Sequence, residues 1–263
     1  MQRREKLHNA AMMPASRVKS RPANRKPTSA WHAYVEDAQR PLYCLLFLFP
    51  LVAAYEFGAL LLRPVSCPGR QLVAHSLIQN LLGWFGASGT LLPALALLAT
   101  LLVWHLLSGQ GWRVRGWVLP LMACESVVLI VPLFVLGRLL LAAPSSAANL
   151  ADLRQQMVMA LGAGLYEELV FRLGVVCAVL WLFENGLRIR NAAGPCTAVV
   201  VSAAIFAACH FQPIGIEPFE LTQFLQLTAA GAYLAVVFLL RGLGITAGCH
   251  AAYNLVLVLS GPL

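Results

Sequence analysis

From residue 42 to residue 260 the chain is an almost unbroken succession of apolar runs, at about 42–62, 90–107, 117–141, 157–182, 196–211, 221–240 and 243–260. None alternates with period two, and most approach the roughly 20 residues a helix needs to cross a bilayer core. Lipid offers no hydrogen bonds to a backbone, so such runs must close their own as helices. They predict an all-α fold, a polytopic transmembrane helical bundle. The shorter and more polar segment 72–86, with His75, Gln79 and Asn80, reads as an interfacial helix, a re-entrant helix or a further span, giving seven to eight spans in all. Composition agrees. The chain is 59% hydrophobic and 11% charged, against roughly 45–50% and about 25% in soluble domains. One transmembrane domain, 41–263, is expected, with no separate soluble domain.

Charge is concentrated at the start. Residues 1–40 hold nine Lys and Arg against Glu5, Glu36 and Asp37, which predicts a disordered basic tail on the cytoplasmic side. The tail is long for a signal peptide, and its expected contact is the anionic lipid surface rather than nucleic acid. With seven spans, the cytoplasmic loops carry Arg113, Arg115, Arg188, Arg190 and Arg241 with one acid, Glu184, whereas the opposite loops carry Asp152, Glu217 and Glu220 beside Arg63, Arg70 and Arg154. This arginine bias fits an integral protein of a bacterial inner membrane with its N-terminus inside. The seven cysteines are scattered through apolar runs and form no disulfide framework.

Three charges interrupt the run 157–182: Glu167, Glu168 and Arg172. Ionisable groups at membrane depth are costly and mark functional sites. Glu168 lies four residues before Arg172, the favourable spacing for an ion pair along one helix face. Glu167 lies five before it, about 140° away on the helix wheel. Glu168 is therefore expected to be paired, and Glu167 to be free for a cavity, where a carboxylate can serve as a general base. The bland alternative is a charge cluster that locks helices together.

Two later runs carry a histidine each. Phe206 precedes His210 by one turn and can pack on its ring, while His250 and Asn254 are four apart and aim at one spot. Two donors converging on a point suit an oxyanion. At about 1.5 Å per residue, Glu167, His210 and His250 fall about 15, 9 and 20 Å below the outer face if the spans alternate in direction. One site is thus geometrically reasonable.

Glu167-Glu168-x-x-x-Arg172, Phe206-x-x-x-His210 and His250-x-x-x-Asn254, in this order, resemble the three motifs of the CPBP family, the CaaX protease and bacteriocin-processing intramembrane proteases, which include type II CaaX prenyl endopeptidases. The likeness covers roughly 150–260, the expected catalytic core. It implies an intramembrane endopeptidase acting on a membrane-associated protein or peptide. Glu167 and His210 would activate water, and His250 and Asn254 would hold the oxyanion. Glu168 and Arg172 match positions of mainly structural role.

The favoured expectation is hydrolysis without a cofactor. Zinc held by Glu167, His210 and His250 is the alternative, but there is no His-Glu-x-x-His helix, and Asn254 is a poor zinc ligand. The competing function is a non-catalytic transporter, immunity or scaffold subunit with a proton relay, for which Glu56 and Glu125 in earlier runs would be the further members.

Overall fold

The computed structural model describes residues 29–62, 73–87, 89–140, 150–215 and 217–260. Its secondary structure is helical throughout, and among the described residues the only bridge pairing is Phe211 with Glu217. Among the described residues, four helical stretches are long and apolar enough to cross a membrane: α2 (Pro41–Leu61), α5 (Val118–Val128) with α6 (Ile130–Leu140) taken together over Val118–Gly137, α10 (Leu221–Arg241) and α11 (Leu243–Ser260). The seven to eight spans expected from the apolar runs are not reached on this measure. Helices α4 (Leu92–Ser108) and α9 (Ala193–Ala208) have 17 and 16 residues, several Å short of a core about 30 Å thick. The segment expected at 72–86 forms the 11-residue α3 (Val73–Gly83), too short to span alone. With these helices the chain is an integral membrane protein.

The basic tail was expected to be disordered as far as residue 40. Residues 1–28 lie outside the described residues, but α1 (Ala30–Ala38) is helical, with the Ser29 hydroxyl accepting from the His32 N–H at its start. Tyr34 and Ala38 bury the inner face of α1 against Val118 and Met122 of α5. That packing, absent from a reading of charge alone, orders the segment. Pro41 then opens α2 at a position where its missing N–H costs nothing.

The long charged run resolves into α7 (Leu150–Glu167), a π-helical segment (Glu168–Val176), α8 (Cys177–Trp181) and a second π-helical turn (Leu182–Gly186). Helix α11 is the inner element: half of its span is buried, against 22–28% in the other three. Small residues bring its neighbours close. A Cβ on Gly164 of α7 would lie 2.5 Å from the Ala251 nitrogen, and one on Gly248 would lie 2.6 Å from the Ser126 oxygen of α5. Close backbone approach of this kind is how membrane helices associate where burial from water supplies no drive. Gly242, at φ +84°, makes the tight reversal from α10 into α11.

Candidate active site

Glu167 is the last α-helical residue of α7, and Glu168 is the first of the π segment. A π turn bonds each residue to the one five positions away and recurs at functional sites. The wider turn breaks the regular pairing of carbonyls, and the Ser202 hydroxyl of α9 donates to the Phe171 carbonyl at 2.8 Å. The π segment is invisible in the residue pattern, and so is the role of Ser202.

The expected pair forms: Arg172 Nη1 lies 3.1 Å from Glu168 Oε1, with both side chains wholly buried. Arg172 Nη2 also donates to the Gly231 carbonyl at 3.3 Å, and its guanidinium lies 4.6 Å over the Phe206 ring. Glu168 carries a second contact that the spacing argument missed. Its Oε1 accepts from His250 Nδ1 at 2.7 Å, across the α7–α11 interface. Only the three-dimensional crossing at Gly164 and Ala251 brings these two positions together.

Glu167 faces the other nitrogen of the same ring, with Oε2 3.7 Å from His250 Nε2. Together with His210, His250, Asn254 and Phe206 it lines a cavity of about 150 Å³. Leu133, Leu227, Leu234 and Tyr253 form part of its wall with Ala163 and Ala230; these members carry no signal that sets them apart in sequence from other membrane-helix residues. All four residues expected to be catalytic thus meet in one hollow.

His210 was expected inside a span, but α9 ends at Ala208 and His210 stands in the turn beyond it. Its Nδ1 lies 2.8 Å from the Phe206 carbonyl. A carbonyl can only accept, so Nδ1 carries the hydrogen and the neutral ring keeps Nε2 as an acceptor. Phe206 packs against this ring edge-on at 4.8 Å, as its one-turn spacing implied, and touches the His250 ring at 6.1 Å.

Glu125 and Glu56 stand apart from this cavity. Glu125 accepts from Arg241 Nε and Nη2 at 2.5 and 2.7 Å, and also from the Tyr34 hydroxyl. Glu56 accepts from the Tyr166 hydroxyl at 2.7 Å. As to zinc, no three His, Cys, Asp or Glu side chains among the described residues are grouped so as to hold a metal ion. Glu167, His210 and His250, the set weighed for zinc, nevertheless line one cavity.

Residues 149–256 match the family model described as type II CAAX prenyl endopeptidase Rce1-like, in line with the resemblance carried by the three motifs. The matched stretch runs from the start of α7 through His250 and Asn254 in α11, and so contains Glu167, His210, His250 and Asn254 of the hollow. Searches of the curated proteins and of the solved structures find no match.

Proposed function

We propose that this protein is an intramembrane endopeptidase that hydrolyses a peptide bond of a membrane-associated protein or peptide. The observation that carries this reading is the convergence of Glu167, His210, His250 and Asn254 on one cavity among apolar helices. A water molecule occupies roughly 30 Å³ of liquid, so a hollow of this size has room for a nucleophilic water beside a peptide carbonyl.

In the proposed reaction the Glu167 carboxylate and the free Nε2 of His210 polarise the water, and its oxygen attacks the carbonyl carbon as the proton passes to Glu167. The developing oxyanion accepts hydrogen bonds from the Asn254 amide and from His250. Glu167 then returns the proton to the amide nitrogen as the C–N bond breaks, leaving a new amine and a carboxyl group. Every group involved belongs to the chain, and no step uses a metal. The proposed setting is a bacterial inner membrane with the N-terminus inside, and the arginine bias of the loops supports that orientation.

The relay reading is weaker because its two outlying acids are engaged elsewhere, Glu125 with Arg241 and Glu56 with Tyr166. The deciding experiment compares membrane peptides in cells carrying the intact protein and its Glu167→Gln form. Cleavage products present only with the intact protein are expected. Identical peptide profiles would remove the peptidase reading.

A further inference from the structure

Glu168 is matched to a helix-stabilising position, yet its hydrogen bond goes elsewhere. Arg172 lies within ion-pair distance of Oε1, but Arg172 Nη1 and Nε make no hydrogen bond among the described residues. The hydrogen bond that Oε1 accepts comes instead from His250 Nδ1 at 2.7 Å. We infer that Glu168 is a positioning residue for His250, accepting from Nδ1–H and fixing the direction of that ring so that Nε2 presents to the cavity. This inference rests on the peptidase reading and extends it to a residue outside the cavity wall.

Hydrogen-bond accounting supports the assignment. Glu168 is wholly buried and its carboxylate is an acceptor, so Nδ1 of His250 is committed as a donor. Nε2 is then the one ring nitrogen left to act, and it points toward Glu167 Oε2 at 3.7 Å. An imidazole whose Nδ1–H is taken donates from Nε2 only as imidazolium. For His250 to hold an oxyanion, the ring must therefore carry both hydrogens, one for Glu168 and one for the substrate. Arg172, Glu168, His250 and Glu167 then alternate in sign along a single line of contacts, and the buried group as a whole is neutral. A carboxylate that holds the ring of a working histidine recurs in hydrolase triads and behind metal-bound histidines alike, and in the latter its loss costs about 10–100-fold in function.

The test separates this role from helix stapling. The Glu168→Gln/Arg172→Met double variant removes both charges while keeping side-chain volume, so no orphaned ion is left to unfold the protein. With a quenched fluorescent membrane peptide that the wild type cleaves, this variant should lose about 10–100-fold in kcat with KM unchanged. In a His250→Ala background the same two changes should cost nothing further, because Glu168 acts through that ring. Arg172→Met alone should leave kcat per folded molecule near the wild-type value. A double variant that keeps full kcat, or one that loses equally with and without His250, overturns the inference.

A readout independent of turnover accompanies it. Proton NMR of the detergent-solubilised full chain should show a far-downfield ring N–H resonance that disappears in both His250→Ala and Glu168→Gln. Its absence from the wild type overturns the Glu168–His250 bond. Its presence in a protein that cleaves no peptide defeats the peptidase reading and leaves the bond standing.

Discussion

Two of the charge clusters in this bundle, one half-buried and one buried, resolve differently. At one end, Glu125 is held by two nitrogens of Arg241 and by the Tyr34 hydroxyl, and Arg241 is itself covered by the Trp31 and Tyr34 rings at 5.6 and 5.3 Å. Its charge is matched and its lone pairs are used. In the other cluster Arg172 and Glu168 pair, His250 bridges onward, and among the described residues Glu167 approaches no partner more closely than that ring, at 3.7 Å. A charge in a membrane helix is therefore not a site by itself. The difference lies in whether an acceptor is left over and faces a cavity, and of the acids in these two clusters Glu167 meets both conditions.

The sharpest way to break this comparison is to remove each carboxylate's charge in turn. Glu167→Gln should reduce kcat by about 10²–10⁴, the range for loss of a general base, with thermal unfolding close to that of the wild type. Glu125→Gln should do the reverse. It weakens a charge-assisted pair that ties α5 to α10 and should cost about 1.5–3 kcal/mol of stability, with kcat per folded molecule retained. Matched melting curves and single-turnover assays of the two variants check both halves. Equal loss of folding would erase the distinction between the clusters.

The next effect concerns the donors opposite Glu167. His250→Ala and Asn254→Ala should each lower kcat by about 10²–10³ with little change in KM, because oxyanion donors strengthen as charge develops. Since both serve one oxygen, the double variant should fall short of the product of the single losses. A single variant that fails to capture substrate in a pulldown would mean that the pair shapes the pocket and not the transition state.

A smaller effect probes how the two helices of the site are set. Gly164 sits where α7 crosses α11, one turn before Glu167 and Glu168, and a Cβ there would lie 2.6 Å from the Ala251 Cα. Gly164→Ala should cost about 1–3 kcal/mol through overpacking. It should also weaken the Glu168–His250 bond that spans the crossing. Gly83, whose Cβ would meet nothing within 4 Å, is the control; Gly83→Ala should leave both stability and kcat nearly unchanged.

These contrasts also show what could be read from the chain before its fold. Helical class, membrane character and the i, i+4 pairs Glu168–Arg172, Phe206–His210 and His250–Asn254 follow from one-dimensional spacing, and the contacts of the first two appear as expected. The span count was less legible, because a run of apolar residues does not show where a helix stops: 196–211 yields a helix ending at Ala208. The π segment at Glu168 and its Ser202 partner leave no periodic trace. The bond from Glu168 to His250 joins positions 82 apart in sequence. Spacing along one helix cannot disclose it, since it depends on where two helices cross.

The smallest expected effect is none at all. If zinc were the working group, Glu167, His210 and His250 would have to offer lone pairs to one ion, as three protein ligands do in catalytic zinc sites. His250 has only Nε2 to offer, since Nδ1 is engaged by Glu168, and no three-ligand group forms among the described residues. The same Nε2 cannot bind zinc and donate to an oxyanion. The two mechanisms therefore exclude each other at this atom. Purified protein dialysed against a strong chelator should keep its full rate on the cleaved peptide, and metal analysis should find zinc well below one equivalent. Activity lost on chelation and restored by zinc alone would reverse the assignment of His250 from hydrogen-bond donor to ligand, and with it the contrast between a carboxylate left over for water and one left over for a metal.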